Sequence, residues 1–159
     1  MGNKAKFSAI FIVAIALILG IMFFKPLQQP EEEAAMLHKT IESDEVKNVR
    51  MGVVVLKGTT FQQQDAGLSK QEADQFRTLF NAVPADKVRE VQQVNPAIVA
   101  GVVFDLQSNT EVRIQYDDKE IYVTRTDKRG QKKYIVDDPE MKEFFDERMK
   151  QTKNAVLKE

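Results

Sequence analysis

Asp117, Asp118 and Glu120 put three carboxylates within four residues. Such groups ligate hard cations such as calcium, and together with Asp105 they are the side chains that a small hydrolase working through carboxylates would use. The same Asp-Asp-Lys-Glu string is ordinary turn composition, and the alternating ligand spacing of a calcium loop is missing, so a hairpin turn is the expected role. A second cluster is basic: Arg125, Lys128, Arg129, Lys132 and Lys133 surround one turn. Positive charge so concentrated attracts lipid headgroups or anionic wall polymers, at about 1 kcal/mol per residue close to a membrane surface. Away from such a surface it is a solvated hairpin tip. The lone histidine, His38, lies in a polar stretch and is expected to be solvated. There is no cysteine, which removes disulfides and thiolate nucleophiles. The serines (Ser8, Ser43, Ser69, Ser108) have only His38 to serve as a base, and no phosphate-binding loop or metal motif is present. No catalytic residue, metal ligand or cofactor is expected.

The charge balance narrows the partners. All 24 acidic residues follow Pro30, and three of the 23 basic ones (Lys4, Lys6, Lys25) flank the first apolar segment. After Lys25 there are thus 20 basic against 24 acidic residues, a net of −4. A mildly acidic domain does not supply the basic face that neutralises phosphates, so no nucleic-acid partner is expected.

Phe7 to Phe24 is a run of 18 residues without a charge. As a helix it would reach roughly 27 Å, close to the hydrocarbon thickness of a bilayer, and the flanking lysines can extend to the headgroups. A cleaved signal peptide would carry a shorter apolar run ending in small residues, whereas this one ends Met22-Phe23-Phe24-Lys25-Pro26. The expectation is an uncleaved single-pass anchor in the lipid bilayer. Lys4 and Lys6 precede it and Glu31 to Glu33 follow it, which places the N-terminus (residues 1–6) in the cytoplasm and the rest outside.

Residues 25–44 read as a polar stalk, with Pro26 and Pro30 breaking any continuation of the membrane helix. Residues 45–152 read as one domain, and 153–159 as a frayed tail. Within the domain, Val49, Met51, Val53 and Val55 recur at the period of a strand, with Val54 and Leu56 on its other face and Gly58 ending it. A polar loop from Thr59 to Gly67 follows. Ser69-Lys70-Gln71-Glu72 is a capping box opening a helix whose stripe is Ala73, Phe76, Leu79, Phe80 and Val83, stopped by Pro84. Four strands come next, Ile98–Leu106, Glu111–Tyr116, Glu120–Thr126 and Lys132–Val136, separated by short turn-forming strings that predict antiparallel hairpins. Asp138-Pro139-Glu140 starts a last helix with Met141, Phe144 and Phe145 on its apolar side. The order β-α-β-β-β-β-α predicts an α+β two-layer sandwich, a mainly antiparallel sheet with two helices on one face.

This succession of anchor, acidic stalk, strand, Ser-capped helix, hairpin strands and Asp-Pro-started helix resembles the small uncharacterised N-terminally membrane-anchored extracytoplasmic proteins of Gram-positive bacteria. The resemblance is one of layout over most of the chain. It implies location and class, and brings no functional residues with it. The expected role is a binding or protein-interaction module at the cell surface, its partner another membrane or surface protein and its site on the sheet face that the helices leave open. The alternatives are a surface hydrolase using Asp105, Asp117 and Asp118, or a binder of anionic polymers or headgroups through the turn at 125–133.

Overall fold

The computed structural model describes residues 37–128 and 130–157, so the apolar segment Phe7–Phe24 and most of the stalk lie outside the described residues. No helix among the described residues is long and apolar enough to cross a membrane.

Seven strands form one antiparallel sheet: β1 (Val46–Lys57), β2 (Thr60–Asp65), β3 (Val88–Glu90), β4 (Ala100–Leu106), β5 (Glu111–Tyr116), β6 (Ile121–Arg125) and β7 (Lys132–Val136). Their order across the sheet is β2-β1-β4-β5-β6-β7-β3. Helices α1 (Lys70–Ala82) and α2 (Pro139–Val156) pack on one face. The α+β class and the antiparallel hairpins are as expected, and Glu111–Tyr116 and Lys132–Val136 fall on the expected residues.

Period-two burial shows why these strands share one core. Met51, Val53 and Val55 of β1, Val102 and Phe104 of β4, Val112 and Ile114 of β5, and Val123 of β6 all face the helices. Phe76 and Phe80 of α1 and Met141 and Phe145 of α2 close the core from above. Both helix starts are built as the sequence predicts. The Glu72 amide donates to Ser69 Oγ and Glu72 Oε2 accepts from the Ser69 amide at 2.8 Å, while the Met141 amide donates to Asp138 Oδ1 at 2.8 Å.

Four expectations are corrected. The polar loop after Gly58 contains a strand, β2, which folds back on β1 through the two-residue turn Gly58-Thr59. Gly58 takes φ +65° there, the left-handed conformation such a turn requires. Its Gln-rich sequence has no apolar alternation because neither of its faces is buried. The second strand missed, β3, is three residues long and is held only by β7. The stalk ends earlier than expected: Leu37 and Ile41 are buried in the core. The C-terminal helix runs on to Val156, with Thr152 buried and Val156 packed against the core, so residues 153–156 are helix and not frayed tail.

The β3-to-β4 connection shapes the other face. β3 ends at the sheet edge, where the Val91 amide bonds Lys133 O, whereas β4 begins between β1 and β5 at the opposite end, beside Tyr116. Residues 91–99 must cross the sheet diagonally, and since the helices fill one face they cross the other. Asn95 is fastened on the way, donating to Asp117 Oδ2 at 2.5 Å. Tyr122, Thr124 and Ile135 point to this face and are buried although they lie outside the core cluster. The strap thus covers the β5-β6-β7 half of the face and leaves the β4-β1-β2 half open.

Candidate functional site

The fold separates Asp105 from the acidic turn and buries one member of the basic cluster, while Asp117 and Glu120 stay together, the Glu120 amide donating to Asp117 Oδ1 and Glu120 Oε2 accepting from the Tyr122 hydroxyl. Asp105 lies near the end of β4, and the Arg50 guanidinium grips it with two bonds of 3.0 and 2.9 Å, helped by Asn48. That hydrogen-bonded guanidinium holds the Asp105 carboxyl below its ordinary pKa. Asp117 and Asp118 are at the opposite end of the sheet, in the β5–β6 turn. Burial works against the Asp117 carboxylate, but the amides of Glu120 and Lys119 bind one oxygen and Asn95 the other, and its pKa is lowered on balance. Asp118 takes φ +80° in the turn. The hydrolase reading needs two converging carboxyls, one of them with a raised pKa; Asp105 lies at the other end of the sheet from Asp117 and Asp118, and the carboxyls of Asp105 and Asp117 are both shifted down. Among the described residues no three His, Asp or Glu side chains gather as metal ligands would.

The basic turn is also divided. Arg125 belongs to its sequence but not to its surface: the side chain is 0% exposed and pairs with Asp127 at 2.9 and 2.8 Å. Its Nη1 donates to the Lys39 carbonyl, 86 residues away. Alternation would have found it, because Arg125 is in phase with Ile121 and Val123 on the core face. Lys132 pairs with Glu90 at 3.2 Å, and Lys128 and Lys133 are half-buried on the hairpin. Arg129 lies outside the described residues.

His38 overturns the expectation of a solvated ring. It is buried, with Nε2 2.7 Å from Phe80 O and Nδ1 3.3 Å from the Tyr134 hydroxyl. A carbonyl only accepts, so Nε2 carries the proton and Nδ1 accepts from the phenol. Burial lowers the His38 pKa, and the charge of Arg125 lowers it further, against the pull of the Phe80 carbonyl. With Arg125 these bonds root residues 37–41 in the domain. The linkage has a definite sign: the unfolded chain binds the proton from about pH 6.5 downward and the folded one only at lower pH. The His38 contribution to stability is therefore constant above that value and is lost as the pH falls from 6.5 toward the depressed folded pKa. Melting curves between pH 7.5 and 5 should show this loss, and the variant His38→Gln, whose amide can still donate to Phe80 O, should show a smaller one. Equal pH dependence in the two would remove His38 as the cause.

What remains as a site is the bare β4-β1-β2 half of the sheet. Leu56 and Phe61 form a cross-strand pair that is 58% and 75% exposed. Beside them Gly52 pairs with Gly101 across β1 and β4. A Cβ at Gly52 would collide with Gln63 Nε2, so the missing side chain lets the Gln63 amide lie flat on β1. All six residues of β2 are exposed, and among the described residues no strand pairs with its outer side. The Ala66 amide bonds Met51 O, which sets the phase of the ladder. Gln64, Gln62 and Thr60 therefore exchange hydrogen bonds with β1, and the backbone groups of Phe61, Gln63 and Asp65 point outward. No sequence signal marks this edge, because its property is a lack of cover.

Comparison of the chain with models of protein families, with curated proteins and with solved structures finds no match in any of the three.

Proposed function

We propose that this chain is a single-pass, membrane-tethered extracytoplasmic binding module that takes a protein partner at the β2–β1 edge. The observation that carries the reading is the exposed Leu56–Phe61 pair beside a strand whose outward peptide groups have no strand to pair with among the described residues. Edge strands of this kind receive added strands, with main-chain bonds giving affinity and neighbouring apolar side chains giving selectivity. The tether is compatible with this. Its root at residues 37–41 lies beside Arg125 and the β6–β7 turn, at the opposite end of the sheet from the β1–β2 turn, so an anchor at Phe7–Phe24 would not obstruct the edge.

The test is site-specific photo-crosslinking of the full chain in its own cell membranes, from a photoreactive residue in place of Phe61 and from a control in place of the exposed Lys153. A discrete adduct from position 61 alone is expected, with the chain resisting alkaline extraction from the membrane. Equal adducts at both positions would remove the edge as the binding surface, and alkaline release would remove the tether. If neither position yields a protein, the second reading takes over, in which Lys128, Lys132 and Lys133 beside the tether root meet an anionic surface.

A further inference from the structure

We infer that the partner of the β2 edge is a second copy of this chain, paired β2 against β2 about a twofold axis so that two seven-stranded sheets become one. The inference rests on the reading of that edge as the binding surface, and it names the occupant.

The two edges of the sheet are built differently. β3, at one edge, is three residues long and carries Arg89 and Glu90, with Asp86 and Lys87 just before it. Short length and charge are the usual protections against edge-to-edge pairing. β2, at the other edge, is twice as long, reads Thr-Phe-Gln-Gln-Gln-Asp, and contains neither lysine nor proline. Its one charge, Asp65, is turned back into its own loop, where Oδ1 accepts from the Gly67 amide at 2.9 Å. The unprotected edge is also the one with the exposed aromatic residue.

The chemistry of β2 suits a copy of itself. In an antiparallel pair centred on Gln63, the outward groups of residue 63 meet those of 63 in the partner, and those of 61 meet those of 65. The three pairs of outward-facing residues are then all hydrogen-bonded. Gln62 faces Gln64 on the other side of the strands. A glutamine amide carries both donor and acceptor, so it can satisfy its own copy, as a lysine or an aspartate cannot. The two Asp65 carboxylates sit at opposite ends of the pair, and no like charges oppose each other. The flat lie of Gln63 over Gly52 leaves the approach clear.

Six-residue edges bury less than the roughly 1,000 Å² that a lasting complex of free proteins needs. Confinement in one bilayer supplies the difference by raising the effective concentration. Antiparallel pairing puts the two tether roots at opposite ends, so the joined sheet must lie along the membrane. The 12 residues between Phe24 and Leu37 allow this, since they extend up to about 40 Å.

The chain has no cysteine, so single-cysteine variants report cleanly. In the full chain reconstituted in phosphatidylcholine vesicles, cysteines placed one at a time at positions 60–65 should form disulfide dimers with a maximum at 63. Yields should fall on both sides, at least fivefold by 60 and 65, with none at Lys153→Cys. Gln63→Pro removes only an outward N–H, which edge strands tolerate, and should lower amine-crosslinked dimer at least tenfold with the thermal melt retained. Should that variant not fold, Gln63→Lys, which sets two ammonium groups face to face on the axis, should give the same loss. A flat disulfide profile, or an undiminished dimer in a folded variant, overturns the inference. A Phe61 photo-adduct with a different protein and no self-linking would retire the second copy and keep the edge as a site. No adduct of either kind would retire both.

Discussion

Replacing Arg125 by alanine is expected to cost about 3–5 kcal/mol of folding stability, the range found when one partner of a buried ion pair is removed. The guanidinium is fully enclosed, and it answers both the Asp127 carboxylate and the Lys39 carbonyl. Without it the carboxylate, 13% exposed in the intact domain, loses its hydrogen-bonded partner and keeps only the weaker charge of Lys128. Burial disfavours that charge, and in the intact domain it is the hydrogen-bonded Arg125 that holds the Asp127 pKa below the ordinary value. Against a total of about 5–15 kcal/mol for a domain, this is a large share of the stability. Urea denaturation measures the loss, and trypsin cleavage after Lys39 should quicken, because Arg125 binds the Lys39 carbonyl directly, while His38 and the Asn81 and Arg77 bonds to Ile41 hold the rest of that segment. The double variant Arg125→Met, Asp127→Asn should recover part of the loss, since no unpaired charge remains. A loss under about 1 kcal/mol would mean that the pair behaves as solvated surface pairs do.

Phe76→Ala should be of similar size, about 3–5 kcal/mol, for a reason without charge in it. Phe76 is 0% exposed, with ring centroids 4.8 Å from Phe144, 5.3 Å from Phe145 and 6.4 Å from Phe104. It joins α1, α2 and β4 at one point, and its truncation leaves a cavity between three elements that cannot all close on it. Phe76→Leu, which fills most of the volume, should cost under about half as much. Equal midpoints for the two variants in urea would show that the helices move to fill the space.

The elements legible in the sequence are those whose signals are local. Ser69 and Glu72 satisfy each other's backbone within four residues, and Asp138 with Pro139 does the same for α2. The β4 to β7 hairpins are joined by short turns and alternate in apolarity, so order and pairing direction follow from the chain alone. The elements that escaped are stabilised from a distance. β2 is polar on both faces and is a strand because β1 lies beside it. His38 and Ile41 sit in polar sequence, yet Phe80, Tyr134 and Asn81, all far along the chain, give them buried partners. Arg125 looked like surface because its neighbours in sequence are basic, although its strand phase already turned it inward.

The α+β class, the helix starts, the antiparallel hairpins and the lack of thiols could all be read from the chain alone, since each depends on residues a few positions apart or on composition. Which surface is left uncovered depends instead on packing between distant segments. That packing joined Arg125 to Lys39, parted Asp105 from Asp117, laid the 91–99 strap over one half of the sheet and left β2 uncovered at the other. Cover and exposure are properties of what packs from elsewhere in the chain, so the propensities of the residues exposed do not carry them.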